Sequence, residues 1–341
     1  MILEKQKKLV NRKKIVKAQM KGKMNKRIQK EKKKILNEQK RKLKQQNIKM
    51  EAKKIQKRLK EKERRKNKKI TDNNKNDERI LNVILDTINN NCKFKKHFDF
   101  TYASQKFDSR EILMEVLMHI KYAIPWRRTE YKYSTIYSIY KKLLNLEIIT
   151  KSYIELLRKY INVNPSDKLK IQSTDVTIIP NKYGSRLVQY NGHKKRKCTK
   201  SSQIHDSNGI VIGMKLDLGA KHDSKIFIEH LDEPLFISNE LNNQYKEYML
   251  ADSGYDSLEI KSKLKNLGYK HIIYPNKRNN KNPPKLSEKD MQIYKTRMKA
   301  TEHSYSSEKT HRRINTRYDK NIKSLYGAFY VSFIDLILKK Q

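Results

Sequence analysis

The chain has 341 residues, with 80 Lys or Arg against 36 Asp or Glu and a formal net charge of +44. This length suits one large domain with appendages, or two domains, and the charge indicates a polyanionic partner such as nucleic acid. Two distant cysteines and no CxxC pair argue against a zinc site or a disulfide framework. The sequence shows no signal peptide and no long apolar run, so we expect an intracellular protein that is not secreted. We expect it to be located with DNA, in the cytoplasm or nucleoid, or in the nucleus or a viral factory if the host is eukaryotic.

The first segment, residues 1–77, is basic and of low complexity, with Lys, Gln, Glu, Arg and Asn dominating. Single apolar residues recur at roughly helical spacing, whereas a coiled coil needs two per heptad. The pattern predicts a solvated, partly helical, coiled-coil-like basic arm that adds DNA affinity or nuclear localisation; a true zipper and a disordered tail are the alternatives. The polar run 71–77 is the predicted linker at its end.

A second segment, residues 78–165, alternates helical patterns with polar breaks. Several short helices in a basic protein predict a helix-turn-helix-like DNA-binding module, although a plain helical bundle would show the same pattern. Ser109 is the predicted N-cap of a helix that contains 112–120. Trp126, the single Trp, is predicted to anchor a core.

From residue 166 to 341 the pattern changes to strands that are followed by helices. Strands are predicted at 170–179, 202–206, 210–218, 248–251 and 270–274, with an Asn208-Gly209 turn joining the second to the third. Helices are predicted at 222–231, 258–267, 287–309 and 321–339. A hairpin meander followed by strand–helix units predicts an α/β domain with a mixed sheet flanked by helices, which is an RNase H-like layout.

Two carboxylates occupy positions that such a sheet brings together. Asp175 lies within the first strand, and Asp252 ends the fourth, beside a glycine turn. Phosphodiester cleavage with two divalent ions needs several convergent carboxylates, so a third acid is expected from the late helix. Its candidates are Glu302 and Glu308.

Two further acids compete for this role. Asp206 precedes the Asn-Gly turn, and turn chemistry is the better interpretation for it. Asp223 precedes an apolar helical run and is predicted to be its N-cap.

These motifs together resemble the DDE transposases of bacterial insertion sequences, groups four and five, over about residues 110–341. Asp175-Val176-Thr177 resembles the Asp-x-Thr of the family's first strand, and 251–257 resembles its second-acid signature. Residues 294–302 and 312–320 are similar to its third-acid helix and the Arg-Tyr-acid-Lys element that follows it. Residues 124–127 are similar to a motif in its helical module.

The resemblance implies that Asp175, Asp252 and Glu302 are catalytic and hold two Mg²⁺ or Mn²⁺ ions. It also implies a set of DNA contacts in the basic run and the late motifs: Lys194, Lys195, Arg196, Lys197, Lys200, Tyr294, Arg297, Lys309, Arg312, Arg313 and Arg317. Four residues separate Arg297 from Glu302, whereas the family has three. On a regular helix the extra residue rotates the pair by about 100°, unless a π-bulge absorbs it.

The function that the resemblance implies is DNA transposition. The enzyme would cleave the ends of its element and join the exposed 3′-hydroxyl to target DNA by transesterification. Double-stranded DNA is the expected partner, a homodimer is compatible with this, and no membrane or small-molecule substrate is expected. Two alternatives stay open: a domesticated DNA-binding derivative without catalysis, and an RNase H-like structure-selective nuclease.

Overall fold

A computed structural model describes residues 74–98, 108–129, 131–277 and 285–341, and the single residues 56, 61, 72 and 282. The chain divides into two compact units, 1–72 and 73–341. Nearly all of the predicted basic arm lies outside the described residues. Within the second unit, a division at 165/166 into a DNA-binding module and a catalytic domain stays a prediction. No helix in the described part of the chain is long and apolar enough to cross a membrane.

The second unit combines helices with one sheet. Before the sheet come α1 (74–89), α2 (Cys92–Phe98), α3 (Ser109–Tyr122), α4 (Tyr133–Asn145), α5 (Ile148–Val163) and α6 (Pro165–Leu169). The strands are β1 (Ile171–Pro180), β2 (Gln189–Asn191), β3 (Arg196–His205), β4 (Val211–Leu218), β5 (Tyr248–Ala251) and β6 (Lys270–Ile273). The later helices are α7 (Asp223–His230), α8 (Asn239–Tyr245), α9 (Leu258–Asn266), α10 (Glu288–Glu308), α11 (Arg312–Asn315) and α12 (Ile322–Leu338).

The six strands form one mixed sheet. β3 pairs antiparallel with β1 on one side and with β2 and β4 on the other. β1 pairs parallel with β5, which pairs parallel with β6. Gln203 and Ser202 are neighbours on β3, so their side chains point to opposite faces of the sheet. Gln203 is hydrogen-bonded to α10 and Ser202 to α7, which shows that helices cover both faces. The predicted RNase H-like mixed sheet flanked by helices is therefore confirmed.

The second predicted strand is longer than its sequence pattern indicates. β3 begins at Arg196 rather than at 202, since it pairs with the end of β1 and with β2 as well as with β4. Apart from the buried Cys198, its added residues are polar, yet Thr199 and Ser201 are fully buried. Alternation of apolar residues cannot reveal a strand whose buried positions are polar.

The hairpin turn between β3 and β4 is built around Asp206, which confirms the turn interpretation. Its Oδ1 accepts the backbone N–H groups of Asn208 at 2.9 Å and Ile210 at 2.7 Å, and its Oδ2 accepts the Tyr160 hydroxyl at 3.0 Å. Gly209 has a φ of 78°, and a Cβ there would collide with the backbone of Ala300 in α10. The turn therefore seats α10 against the sheet.

Two predicted helix caps lie one residue away from the true ones. Asp108, not Ser109, caps α3 by accepting the Arg110 N–H, and His222, not Asp223, caps α7. Both true caps have extended backbone, whereas Ser109 and Asp223 are already helical and therefore cannot be N-caps.

Trp126 anchors the helical layer, as predicted. It stacks on His119 at 4.6 Å and on Tyr140 at 4.8 Å between ring centroids. On the indole, 5.2 Å from its centroid, lies the guanidinium of Arg313, whose Nε donates to the His119 carbonyl at 2.8 Å. The helical layer is thus joined to the segment that follows α10.

A buried ionic network holds the first helices to α12. Asp335 is fully buried, and its carboxylate contacts Asn76, His311 (2.8 Å) and Lys339 (2.8 Å), with the Lys121 ammonium 3.8 Å away. Burial raises the pKa of Asp335, but the hydrogen bond from His311 and the charges of Lys121 and Lys339 outweigh it and hold this pKa below its usual range.

Replacing Asp335 by Asn should destabilise the protein by about 2 kcal/mol, because the substitution takes the carboxylate away from its buried partners Asn76 and His311. Lys121 keeps its ion pair with Asp77 at 2.6 Å. The free energy of unfolding from urea titration measures this. The matched control is Asp232→Asn, which removes an exposed partner of Lys263 and should cost less than about 1 kcal/mol. Equal effects of the two substitutions would contradict the assigned role.

Candidate functional site

Asp175 and Asp252 lie side by side on neighbouring parallel strands. Ser173 of β1 pairs with Leu250 of β5, so the same register two residues later places Asp175 opposite Asp252. β5 is held here by backbone pairing with β1 and β6 on its two sides, and Met249, Leu250 and Ala251 are completely buried. The structure thus brings together the first two of the three predicted acids.

Backbone N–H groups fix the orientation of both carboxylates. Oδ1 of Asp175 accepts the Val176 N–H at 2.8 Å, and Oδ1 of Asp252 accepts the Gly254 N–H at 2.8 Å. The second oxygen of each acid faces the same cation: Nη2 of Arg297 is 3.2 Å from Asp175 Oδ2 and 3.9 Å from Asp252 Oδ2. Each carboxylate therefore presents one oxygen to a shared position.

Arg297 reaches this position from α10. Its side chain is 9% exposed, against 28% for Asp175 and 45% for Asp252. Burial raises the pKa of Asp175 to about 6, although the charge of Arg297 lowers it. The family resemblance implies that Arg297 contacts DNA. In the structure, its guanidinium lies against the two carboxylates and offsets their charge.

Glu302 lies outside this group. All residues from 288 to 308 are α-helical, so no π-bulge absorbs the extra residue before Glu302. Five residues on a regular helix correspond to about 140°, which turns Glu302 away from the side of Arg297. The residue at the usual family spacing is Thr301, which is buried, whereas Glu302 is exposed.

Glu308, the other candidate for the third acid, is buried on the sheet side of α10. Its Oε2 accepts from Gln203 at 3.0 Å and its Oε1 accepts from Ser304 at 3.4 Å. Burial raises its pKa to about 8, so it holds a proton at neutral pH. It lies over β3, where Gln203 is the register partner of Asp175.

The donor set fits one divalent ion better than two. Among the residues that the structure describes, no group of three His, Cys, Asp or Glu side chains could hold a metal. A pair of carboxylates with water suffices for one Mg²⁺ or Mn²⁺ ion, since these ions keep several water ligands. Close by, Tyr255 follows Asp252, and its buried hydroxyl has no hydrogen-bond partner in the described part of the chain.

The other predicted DNA contacts divide by exposure. Tyr294 is half-buried and packs near Tyr274, with 5.6 Å between ring centroids, while Lys200, Arg313 and Arg317 are buried. The remaining six are exposed: Lys194, Lys195, Arg196, Lys197, Lys309 and Arg312.

The buried cations have internal partners. Arg317 is completely buried and donates to the Arg186 carbonyl at 2.7 Å and to Thr199 Oγ1 at 2.8 Å. Lys200 pairs with Asp223 at 2.7 Å. Their contacts hold loops and helix starts in place, a role that a basic residue in a sequence motif does not reveal.

Three lysines that share one cavity were not singled out by the sequence. Lys277, Lys285 and Lys295 line a cavity of about 820 Å³ beside Tyr274 and the start of α10. Among 80 basic residues, no pattern distinguished them.

Comparison with known proteins identifies the segment that carries this site. Residues 164–330 match the family model described as Transposase DDE domain. No curated protein matches the chain.

Three of the solved structures with similarity are Mos1 transposase complexes. One is a paired-end complex with the left transposon end (15% identity, TM-score 0.28, 56% of this chain and 57% of that chain). The others are a Mos1 mariner paired-end complex with Mn (14%, 0.28, 56% and 59%) and a pre-cleavage Mos1 transpososome (13%, 0.23, 56% and 61%). The chain thus spans less than two thirds of the length of each of these proteins.

The buried Glu308 should make stability depend on pH. Its pKa is about 8 in the folded protein and about 4.3 in an unfolded chain, so only the unfolded state releases its proton between these values. Stability from this group is therefore full at low pH and falls as pH rises to about 8.

Glu308→Gln, which mimics the protonated acid, should match the wild type near pH 4.5 and be more stable by about 4 kcal/mol near pH 8. Urea titrations at both pH values measure this difference. A gap that is the same at both values would contradict the raised pKa.

Proposed function

We propose that this chain, whose residues 164–330 belong to the family of transposase DDE domains, is the DNA transposase of an insertion-sequence-like element. The observation that carries the proposal is the convergence of Asp175 Oδ2 and Asp252 Oδ2 on one cation position, 3.2 and 3.9 Å from the same Arg297 nitrogen. Two oriented carboxylates on neighbouring parallel segments can bind a divalent ion, and such an ion can also bind the phosphates of DNA.

In the proposed reaction, water attacks a phosphodiester at the element end, which leaves a 3′-hydroxyl on the element strand and a 5′-phosphate on the flanking DNA. The 3′-hydroxyl then attacks a phosphodiester of target DNA, and a 3′-hydroxyl of the target strand leaves as the new ester bond forms. A bound Mg²⁺ or Mn²⁺ ion would supply Lewis-acid activation and charge stabilisation. The N–H groups of Val176 and Gly254 hold the two carboxylates in place, so that little reorganisation is needed when the ion binds. No covalent bond to the protein forms.

The exposed basic residues would hold the duplex. Lys194, Lys195, Arg196 and Lys197 form a continuous exposed run, and Lys309 and Arg312 are exposed at and after the end of α10. Contacts to phosphates position a duplex without reading its sequence, and they make binding strongly salt-dependent.

Glu302 is proposed as the third acid from the family resemblance alone, and with it the second metal ion. In the structure its carboxylate is exposed and away from the pair. Its participation therefore requires the DNA-bound state.

Asp252→Asn should abolish Mg²⁺-dependent cleavage, because the variant loses one of the two charges that hold the ion, and it should leave DNA binding nearly intact. The assay uses duplexes that carry the inverted repeats flanking the coding sequence. Asp232→Asn, which alters an exposed acid, is the control and should cleave normally. Cleavage by Asp252→Asn near the wild-type rate would rule out the proposed site.

Glu302→Gln separates two stages of metal binding. We expect it to abolish cleavage of the same duplexes while leaving the Mn²⁺ affinity of the DNA-free protein unchanged, because Glu302 is not at the acid pair there. Glu288→Gln, another exposed position of α10, is the matched control. Normal cleavage by Glu302→Gln would remove it from the catalytic group.

A second candidate function is a domesticated DNA-binding derivative without catalysis. The observation in its favour is the exposed position of Glu302 together with an arginine between the other two acids. If this function is correct, the wild-type protein itself will bind the flanking repeats but will not cleave them in either Mg²⁺ or Mn²⁺.

A further inference from the structure

The Arg297 guanidinium lies where a metal ion bound by both Asp175 and Asp252 would lie. Nη2 is within 4 Å of one oxygen on each acid, and these two oxygens are the ones not held by the backbone N–H groups of Val176 and Gly254. A divalent ion bound by the same two oxygens would stand against the guanidinium. Two positive charges so close together repel each other, and the near-complete burial of the Arg297 side chain limits screening by water.

Arg297 is held here by its helix rather than by other polar groups. Its side chain is almost completely buried, and its Nε has no hydrogen-bond partner among the described residues. The acids are therefore the principal polar partners of this guanidinium. If they were engaged by a metal ion, Arg297 would have to leave, since a buried cation without a partner is costly.

We propose that Arg297 is the resident counter-ion of the Asp175–Asp252 pair and that it competes directly with the divalent ion for this position. The inference rests on the proposed metal site, and it adds a residue that sets the affinity of that site. In the metal-free protein, the Arg297 guanidinium lies against one oxygen of each carboxylate and offsets their negative charge. It also keeps metal affinity low until its guanidinium is withdrawn.

The test is a calorimetric titration of Mn²⁺ into the full chain without DNA. Arg297→Gln should bind Mn²⁺ about tenfold more tightly than the wild type, a change within the usual range of coupling between two ligands. Arg297→Lys should fall between the two, because a single ammonium bridges two carboxylates less well than a planar guanidinium. Circular dichroism shows whether Arg297→Gln is folded. If it is not, Arg297→Lys serves as the test variant in its place.

Two controls separate this inference from the metal site itself. Arg110→Gln removes the same charge from an exposed pair with Glu78 and should leave Mn²⁺ affinity unchanged. Asp252→Asn should lose Mn²⁺ binding. If neither the wild type nor Arg297→Gln binds Mn²⁺, or if binding does not depend on Asp252, the proposed metal site is wrong. If binding depends on Asp252 but neither Arg297 variant binds more tightly than Arg110→Gln, only the counter-ion role is wrong.

Discussion

Two carboxylates on adjacent parallel strands repel each other, and the site depends on what neutralises them. Asp175 and Asp252 are fixed in register by β1 and β5 and oriented by backbone N–H groups, so they cannot separate without disturbing the sheet. Arg297 provides the opposing charge. The two carboxylates are therefore already arranged to bind a cation. Exchange of the guanidinium for a divalent ion would change the bound cation and leave the two strands in place.

The position of Arg297 depends in turn on the seating of α10. Gly209 allows the hairpin turn to approach the backbone of Ala300, and Glu308 bonds β3 as a protonated acid. Beyond α10, Arg313 stacks on Trp126 and connects this segment to the helical layer. Polar and charged contacts that look functional in the sequence therefore perform much of the structural work around the site.

Most strands, and the convergence of Asp175 and Asp252, could be predicted because period-two patterns and turn signals depend on local residues; β2 and the first residues of β3 were missed. The position of Glu302 relative to that pair could not be predicted, because one extra residue rotates it by about 100° and only the packing of α10 decides which side faces the sheet. Arg317 and Lys200 matched a DNA-binding motif, yet burial and internal hydrogen bonds make them structural here. Charge type alone does not distinguish a phosphate contact from a buried loop support.

We propose that Asp175 and Asp252 form a cation position that Arg297 fills in the absence of metal. A crystal structure of the full chain soaked in Mn²⁺, with data collected for anomalous scattering, would locate the ion. We expect an anomalous peak between the two carboxylates with the Arg297 guanidinium withdrawn from them. A peak elsewhere, or Mn²⁺ bound between the acids with Arg297 still in place, would contradict it.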